Sequence, residues 1–127
     1  MSALKVLYVD DEPDIREVAT FSLEIDPEIQ VHAASSGAEA LSTLDSGAFA
    51  PDVILLDVMM PDMDGPTTLS KIRERETLQG TPVIFITARA QPHERAAFLE
   101  KGAIGVITKP FDPMSLAQDV RTLLATA

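Results

Sequence analysis

Val53-Ile54-Leu55-Leu56-Asp57, continued by Val58-Met59-Met60-Pro61-Asp62-Met63-Asp64-Gly65, is the stretch on which the fold turns. An apolar run this short suits a strand covered on both faces better than a helix. A carboxylate closing the run is out of place in a folding pattern, but it makes sense at the mouth of a buried strand, where it can do chemistry. Three other runs end the same way. Val6-Leu7-Tyr8-Val9 leads into Asp10-Asp11, Val83-Ile84-Phe85-Ile86 into Thr87, and Ile104-Gly105-Val106-Ile107 into Thr108-Lys109.

Amphipathic stretches alternate with these runs, which predicts βαβ units and a parallel sheet. The first strand is expected over Leu4–Val9. A helix opening near Pro13 should bury Ile15, Val18, Ala19, Ser22 and Leu23 and end at Asp26-Pro27. A short strand near Gln30–Ala34 leads to Ser36, a candidate N-cap for a helix burying Ala40, Leu41 and Leu44. After Val53–Asp57 a third helix is expected from about Pro66 to Glu76, with Leu69 and Ile72 inward. The fourth strand is Val83–Thr87, and Pro92 opens a helix carrying Ala96, Ala97 and Leu99 that stops at Gly102. The fifth strand is Ile104–Thr108, and the last helix runs from about Pro113 with Leu116, Val120, Leu123 and Leu124 inward. Five strands and five helices use up residues 1–127, so one domain with no output domain is expected.

At 127 residues the chain can bury roughly two-thirds of its unfolded surface. There is no cysteine, hence no disulfide and no thiolate metal site, which fits a reducing compartment. No apolar run approaches the roughly 20 residues that span a bilayer, and the amino terminus lacks a signal-peptide layout, so a cytoplasmic protein without membrane contact is expected. The net charge is −10, and direct nucleic-acid binding needs a basic face that is missing here. Lys71, Arg73 and Arg75 alternate with Glu74 and Glu76, the pattern of a solvated helix face.

In an open parallel sheet the ligand site lies beyond the carboxyl ends of the strands. Asp10, Asp11, Asp57, Thr87 and Lys109 all fall at such ends, and the three carboxylates converge if their strands are neighbours. Converging carboxylates repel, so pKa values rise or a cation binds. Oxygen ligands with no His or Cys beside them suit Mg²⁺. A carboxylate held near such a cation can accept a phosphoryl group, with Lys109 as a point charge and Thr87 as a hydroxyl donor.

Four motifs in order carry a resemblance that covers nearly the whole chain: Asp10-Asp11-Glu12, Asp57 through Gly65, Thr87-Ala88 and Lys109-Pro110-Phe111. On these the sequence closely resembles the receiver domain of two-component response regulators, in its single-domain, chemotaxis-type form. The resemblance implies a flavodoxin-like (βα)5 three-layer sandwich with a five-stranded parallel sheet in the order 2-1-3-4-5. It implies that Asp57 accepts phosphate from a phosphohistidine on a histidine kinase or phosphotransfer protein. Asp11 and Asp57 would bind Mg²⁺ through side chains and Met59 through its backbone carbonyl, with Asp10 acting largely through water. Thr87 would hydrogen-bond the phosphoryl group and Lys109 would pair with it, and the peptide before Pro110 would be cis. The implied assembly is a monomer that can dimerise on phosphorylation and that switches binding to a downstream protein through the fourth helix, fifth strand and fifth helix. A phosphate sink or relay, or a receiver from a larger regulator or hybrid kinase, is the alternative.

The chain departs from the family three residues before the lysine, where Val106 replaces the usual Tyr or Phe. Valine has one stiff χ1 and cannot act as an aromatic rotor. It is a core residue without further role, or the signal leaves through Ala88–Gln91 and the next helix, or the output is weak. Met59 and Arg89 stand two residues beyond Asp57 and Thr87, where side chains shield an acyl phosphate or simply lie at the surface. Gly65 is expected to take a backbone conformation other residues resist.

Other readings fit less well. Asp62-Met63-Asp64-Gly65 resembles part of a calcium loop, but Met60 and Lys71 occupy positions that need ligands. An aspartate-nucleophile phosphatase needs a second Asp where Met59 stands. A flavin-phosphate site would be repelled by Asp10-Asp11-Glu12. His32 and His93 show no ligand spacing.

Overall fold

The computed structural model describes residues 3–127. Strands β1 (Leu4–Val9), β2 (Ile29–Ala34), β3 (Val53–Asp57), β4 (Val83–Thr87) and β5 (Gly105–Thr108) alternate with helices α1 (Pro13–Glu24), α2 (Gly37–Ser46), α3 (Gly65–Arg73), α4 (Pro92–Glu100) and α5 (Leu116–Thr126). All strand pairs are parallel and the order is β2-β1-β3-β4-β5, as expected. The strand order reverses between β1 and β3. A crevice therefore opens beyond their carboxyl ends.

Period-two alternation explains why the central strands are apolar throughout. Leu7, Val9, Ile54, Leu56, Val83 and Phe85 face one layer, where Ala40, Leu41, Leu69 and Ile72 cover them. Val6, Tyr8, Val53, Leu55, Ile84 and Ile86 face the other, against Ala19 and Leu23 of α1 and Leu116 and Val120 of α5. Three layers result, with both sheet faces dry.

The helix starts follow capping chemistry. Ser36 Oγ accepts the Glu39 N–H at 3.0 Å, and the Glu39 carboxylate accepts the Ser35 N–H at 2.9 Å. The first bond satisfies a donor the helix leaves open, and the second ties down the residue before the cap. Ser36→Ala is expected to destabilise the fold by about 1 kcal/mol, read as a lower urea midpoint at unchanged slope.

Several helical expectations change. Val18 is exposed and Ile15 only half-buried, because Ala19, Ser22 and Leu23 define the inward stripe of α1. Helix α3 stops at Arg73, and a 3-10 turn follows at Glu76–Leu78. The Arg73 guanidinium donates to the carbonyls of Leu78 and Thr81, both at 2.7 Å, and holds that turn. Helix α5 begins at Leu116 rather than near Pro113, after a turn in which Asp112 accepts the Met114 N–H. Ala96, Ala97 and Leu99 of α4 are exposed, and no residue of α4 is fully buried. The helix rests on Phe98, whose ring meets Phe85 at 5.1 Å, and on Arg95, whose guanidinium donates to the Val106 carbonyl at 3.3 Å. No helix of the described residues is long and apolar enough to cross a membrane.

Candidate functional site

Register brings the strand ends level. Val9 pairs with Leu56, so the next residues, Asp10 and Asp57, project from one rim, and Asp57 in turn pairs with Ile86 of β4. Carboxylate oxygens of Asp10, Asp11 and Asp57 all lie within 4.8 Å of one another. Asp10 is fully buried, Asp57 is 3% exposed and Asp11 is half-buried on the open side.

Lys109 reaches this cluster from the end of β5. Its Nζ lies 3.0 Å from Asp10 Oδ2, 3.2 Å from Asp57 Oδ2 and 3.6 Å from Glu12 Oε1. The Lys109 N–H donates to the Thr87 carbonyl at 2.8 Å, tying the lysine to β4. The Lys109–Pro110 peptide is cis, as the resemblance implied. Thr87 is buried at the end of β4, and its Oγ1 accepts the Arg89 N–H at 3.0 Å.

Asp10 holds three donors. Its Oδ2 takes the Tyr8 hydroxyl at 3.0 Å as well as Lys109, and its Oδ1 takes the Glu12 N–H at 3.0 Å. Among the described residues every buried side-chain nitrogen and oxygen has a partner. The electrostatics are those of crowded anions. Burial, and then the Asp10 charge, push the Asp57 carboxyl up to about 6, with Lys109 pulling the other way. Burial and Asp10 likewise push the Tyr8 phenol well above its ordinary value, so it stays a donor. Burial alone would lower Lys109, but its hydrogen bond and charge contact with Asp10, followed by Asp57, outweigh that and raise it.

One ammonium set against three close carboxylates and Glu12 leaves an excess of negative charge in a poorly hydrated place. Oxygen donors alone, one side open to water and that excess charge fit a hard divalent cation such as Mg²⁺. Met59, offered by the resemblance as a backbone ligand, lies in the loop after β3 with its side chain 70% exposed. Arg89 is also exposed and pairs with Glu94 at 3.3 Å. Both side chains are at the surface here.

Gly65 closes the floor of the site, for a different reason from the one expected. It is absent from the positive-φ positions, which are Asp62, Gly47 and Gly102. Its constraint is space. A Cβ at residue 65 would lie 2.5 Å from the Asp57 carbonyl oxygen and 2.9 Å from Val58 Cα. The Gly65 N–H donates to the Val58 carbonyl at 2.8 Å, so α3 starts directly against the end of β3. Asp64 caps α3 by accepting the Thr67 N–H at 2.8 Å, and together with that backbone bond the Thr67 hydroxyl holds its carboxyl below the usual range.

Two partners of the cluster carry contacts that the sequence reading did not assign to them. Tyr8 stands two residues before Asp10 on the same face of β1, a period-two relation that was available. Glu12 reaches Lys109 from the loop after β1, and no local pattern signals that. Val106 is a buried residue of β5, paired with Phe85. His32 packs on Phe49 with ring centroids 5.3 Å apart, and His93 is exposed.

Residues 6–121 match the family model described as the response regulator receiver domain. The response regulator Rre1 of Synechocystis is 38% identical over 122 residues, which is 96% of this chain and 52% of that protein. The transcriptional regulatory protein TrcR of Mycobacterium tuberculosis is 37% identical over 97% of this chain and 46% of its own. The chain thus spans about half the length of these curated relatives. Among solved structures, the chemotaxis response regulator CheY4 of Vibrio cholerae superposes with a TM-score of 0.85 at 32% identity, covering 97% of this chain and 99% of that one. The receiver domain of the Francisella response regulator 1452 gives 0.83 at 31% identity, covering 96% and 97%.

Proposed function

The chain belongs to the response regulator receiver domain family, and from that premise we propose that Asp57 is its phosphoacceptor. Receiver domains of this family act as phosphoacceptor switches in two-component signalling. The observation that carries the assignment to Asp57 is the Lys109 ammonium, set 3.0 Å from Asp10 and 3.2 Å from Asp57 inside a buried carboxylate cluster.

In this reading an oxygen of ionised Asp57 attacks the phosphorus of a phosphohistidine. The P–O bond to Asp57 forms as the P–N bond breaks, and the imidazole of the donor leaves with the electron pair. Burial and the Asp10 charge raise the Asp57 carboxyl to about 6, while Lys109 at 3.2 Å favours its ionised form. Asp10, Asp11, Asp57 and the Met59 carbonyl would hold Mg²⁺, which when bound offsets repulsion between the carboxylates and the incoming anion. Lys109 turns from the carboxylates to one phosphoryl oxygen. Thr87 gives its hydroxyl to another, since residue 87 follows the partner of Asp57 in the sheet. Catalysis here is positioning and charge neutralisation.

The signal leaves through the face formed by α4, β5 and α5. Support comes from the shallow seating of α4, from its Arg95 bond to the Val106 carbonyl, and from the Thr87–Arg89 bond that ties the β4–α4 loop to the site. With valine at 106, Thr87 acts on this loop directly rather than through an aromatic ring. A second reading, a receiver acting on an output segment of a longer regulator, is favoured by relatives about twice as long.

Mg²⁺ with a small phosphodonor should add one phosphoryl group, mapped to Asp57 after borohydride trapping. Lys109→Ala is expected to keep Mg²⁺ affinity within a few-fold. It should lose the amide shifts that beryllofluoride induces in β5 and α4 of the wild type. Identical shifts in variant and wild type would remove Lys109 from the relay.

A further inference from the structure

Tyr8 is the single tyrosine of a chain without tryptophan, and it lies wholly inside the layer covered by α1 and α5. A phenol in such a place needs a partner, and it takes Asp10 Oδ2 at 3.0 Å. The same oxygen takes Lys109 Nζ at 3.0 Å, closer than Lys109 stands to Asp57. In the function proposed above, on which this inference rests, Lys109 must leave Asp10 to meet the phosphoryl group. Asp10 has no exposed surface, so bulk solvent does not fill the place of the ammonium, and Mg²⁺ would reach Asp10 only from the rim it shares with Asp11 and Asp57. A buried carboxylate oxygen stripped of its donor is costly, and that cost would hold the lysine back.

We propose that Tyr8 is a positioning residue that frees Lys109: its hydroxyl stays on Asp10 Oδ2 while the lysine moves to the phosphoryl group. The ring is fixed by the core and has two torsions, so the hydroxyl sits in place before and after the lysine departs. The Glu12 N–H holds the other oxygen of Asp10 throughout. The Tyr8 hydroxyl bonds to Asp10, and through Asp10 it acts on Lys109.

The test uses the whole chain in two arms. Tyr8→Phe keeps the ring and removes one oxygen. It is expected to be phosphorylated by a small phosphodonor about tenfold more slowly than wild type, on the scale of lost outer-shell partners. The second arm reads tyrosine emission, which comes from Tyr8 alone. When beryllofluoride is added to the Mg²⁺-loaded wild type, emission should fall as Lys109 leaves and the Tyr8–Asp10 bond tightens. In Lys109→Ala, emission should start low and stay there. Equal phosphorylation rates in Tyr8→Phe and wild type overturn the proposal. So does an emission change as large in Lys109→Ala as in wild type, and this arm stands even if Tyr8→Phe fails to fold. Failure of the phosphoacceptor reading looks different: wild type would then carry no label on Asp57.

Discussion

Asp57→Asn is expected to abolish phosphoryl labelling by a small phosphodonor in the presence of Mg²⁺, and also to stabilise the metal-free protein. The first effect follows from removing the nucleophilic oxygen, since a neutral amide does not attack phosphorus under these conditions. The second follows from the crowding of anions. Asp57 is 3% exposed, and burial with the Asp10 charge raises its carboxyl from 3.8 to about 6. The ionised form is therefore disfavoured in the folded state relative to the unfolded one. Below pH of about 3.8 the carboxyl is neutral in both states and the penalty is absent; above about 6 it is complete. Its size is on the order of a few kcal/mol. The advantage of the asparagine variant should thus be largest at about pH 8 and fade as pH falls through 6 towards 4. Mg²⁺ should reduce it at high pH by stabilising the wild type selectively. Urea unfolding of both proteins across this range, with and without Mg²⁺, checks the claim. If the variant is labelled as well as wild type, Asp57 is not the acceptor. A stability gap that widens towards acid pH would overturn the electrostatic account.

Gly65→Ala damages fold and site together. The added methyl would lie 2.5 Å from the Asp57 carbonyl oxygen and 2.9 Å from Val58 Cα. Both obstacles are backbone, so no side chain can swing aside. Either α3 backs away and gives up the Gly65 N–H bond to the Val58 carbonyl, or the end of β3 bends. Overpacking of this kind costs about 1–3 kcal/mol. The damage falls on Asp57, the proposed acceptor and a member of the carboxylate cluster, so Mg²⁺ affinity should drop with stability. Calorimetric Mg²⁺ titration and urea unfolding read the two losses. An alanine variant with wild-type midpoint and wild-type Mg²⁺ affinity would show that α3 can retreat without disturbing Asp57.

Much of this was legible in the residues because the pattern is dense at the strands. Leu4–Val9, Val53–Asp57 and Val83–Thr87 are bounded as expected, since apolar runs stop abruptly at polar groups. The same stops located Asp10, Asp11, Asp57, Thr87 and Lys109 around one rim. Helix faces were less legible. Val18 fits the inward spacing of α1 as well as Ala19 does, and only the neighbouring layer decides between them. The need for glycine at 65 was seen, but its cause was not, because close approach between β3 and α3 is a distance in space and not a local preference. The closer approach of Lys109 to Asp10 than to Asp57 is set across a sheet in which β3 and β4 lie between β1 and β5, which no motif encodes.

Helix α4, seated on Phe98 and Arg95 with its alanines outward, contributes little of the apolar burial that keeps the chain folded. Substitutions along its outer face therefore cost the fold little. Ala96, Ala97, Leu99 and Glu100 are all exposed, so exchanging them should leave the carboxylate rim and the sheet beneath it as they are. On the output face proposed above, the choice of partner would then be separable from the chemistry proposed at the carboxylate rim.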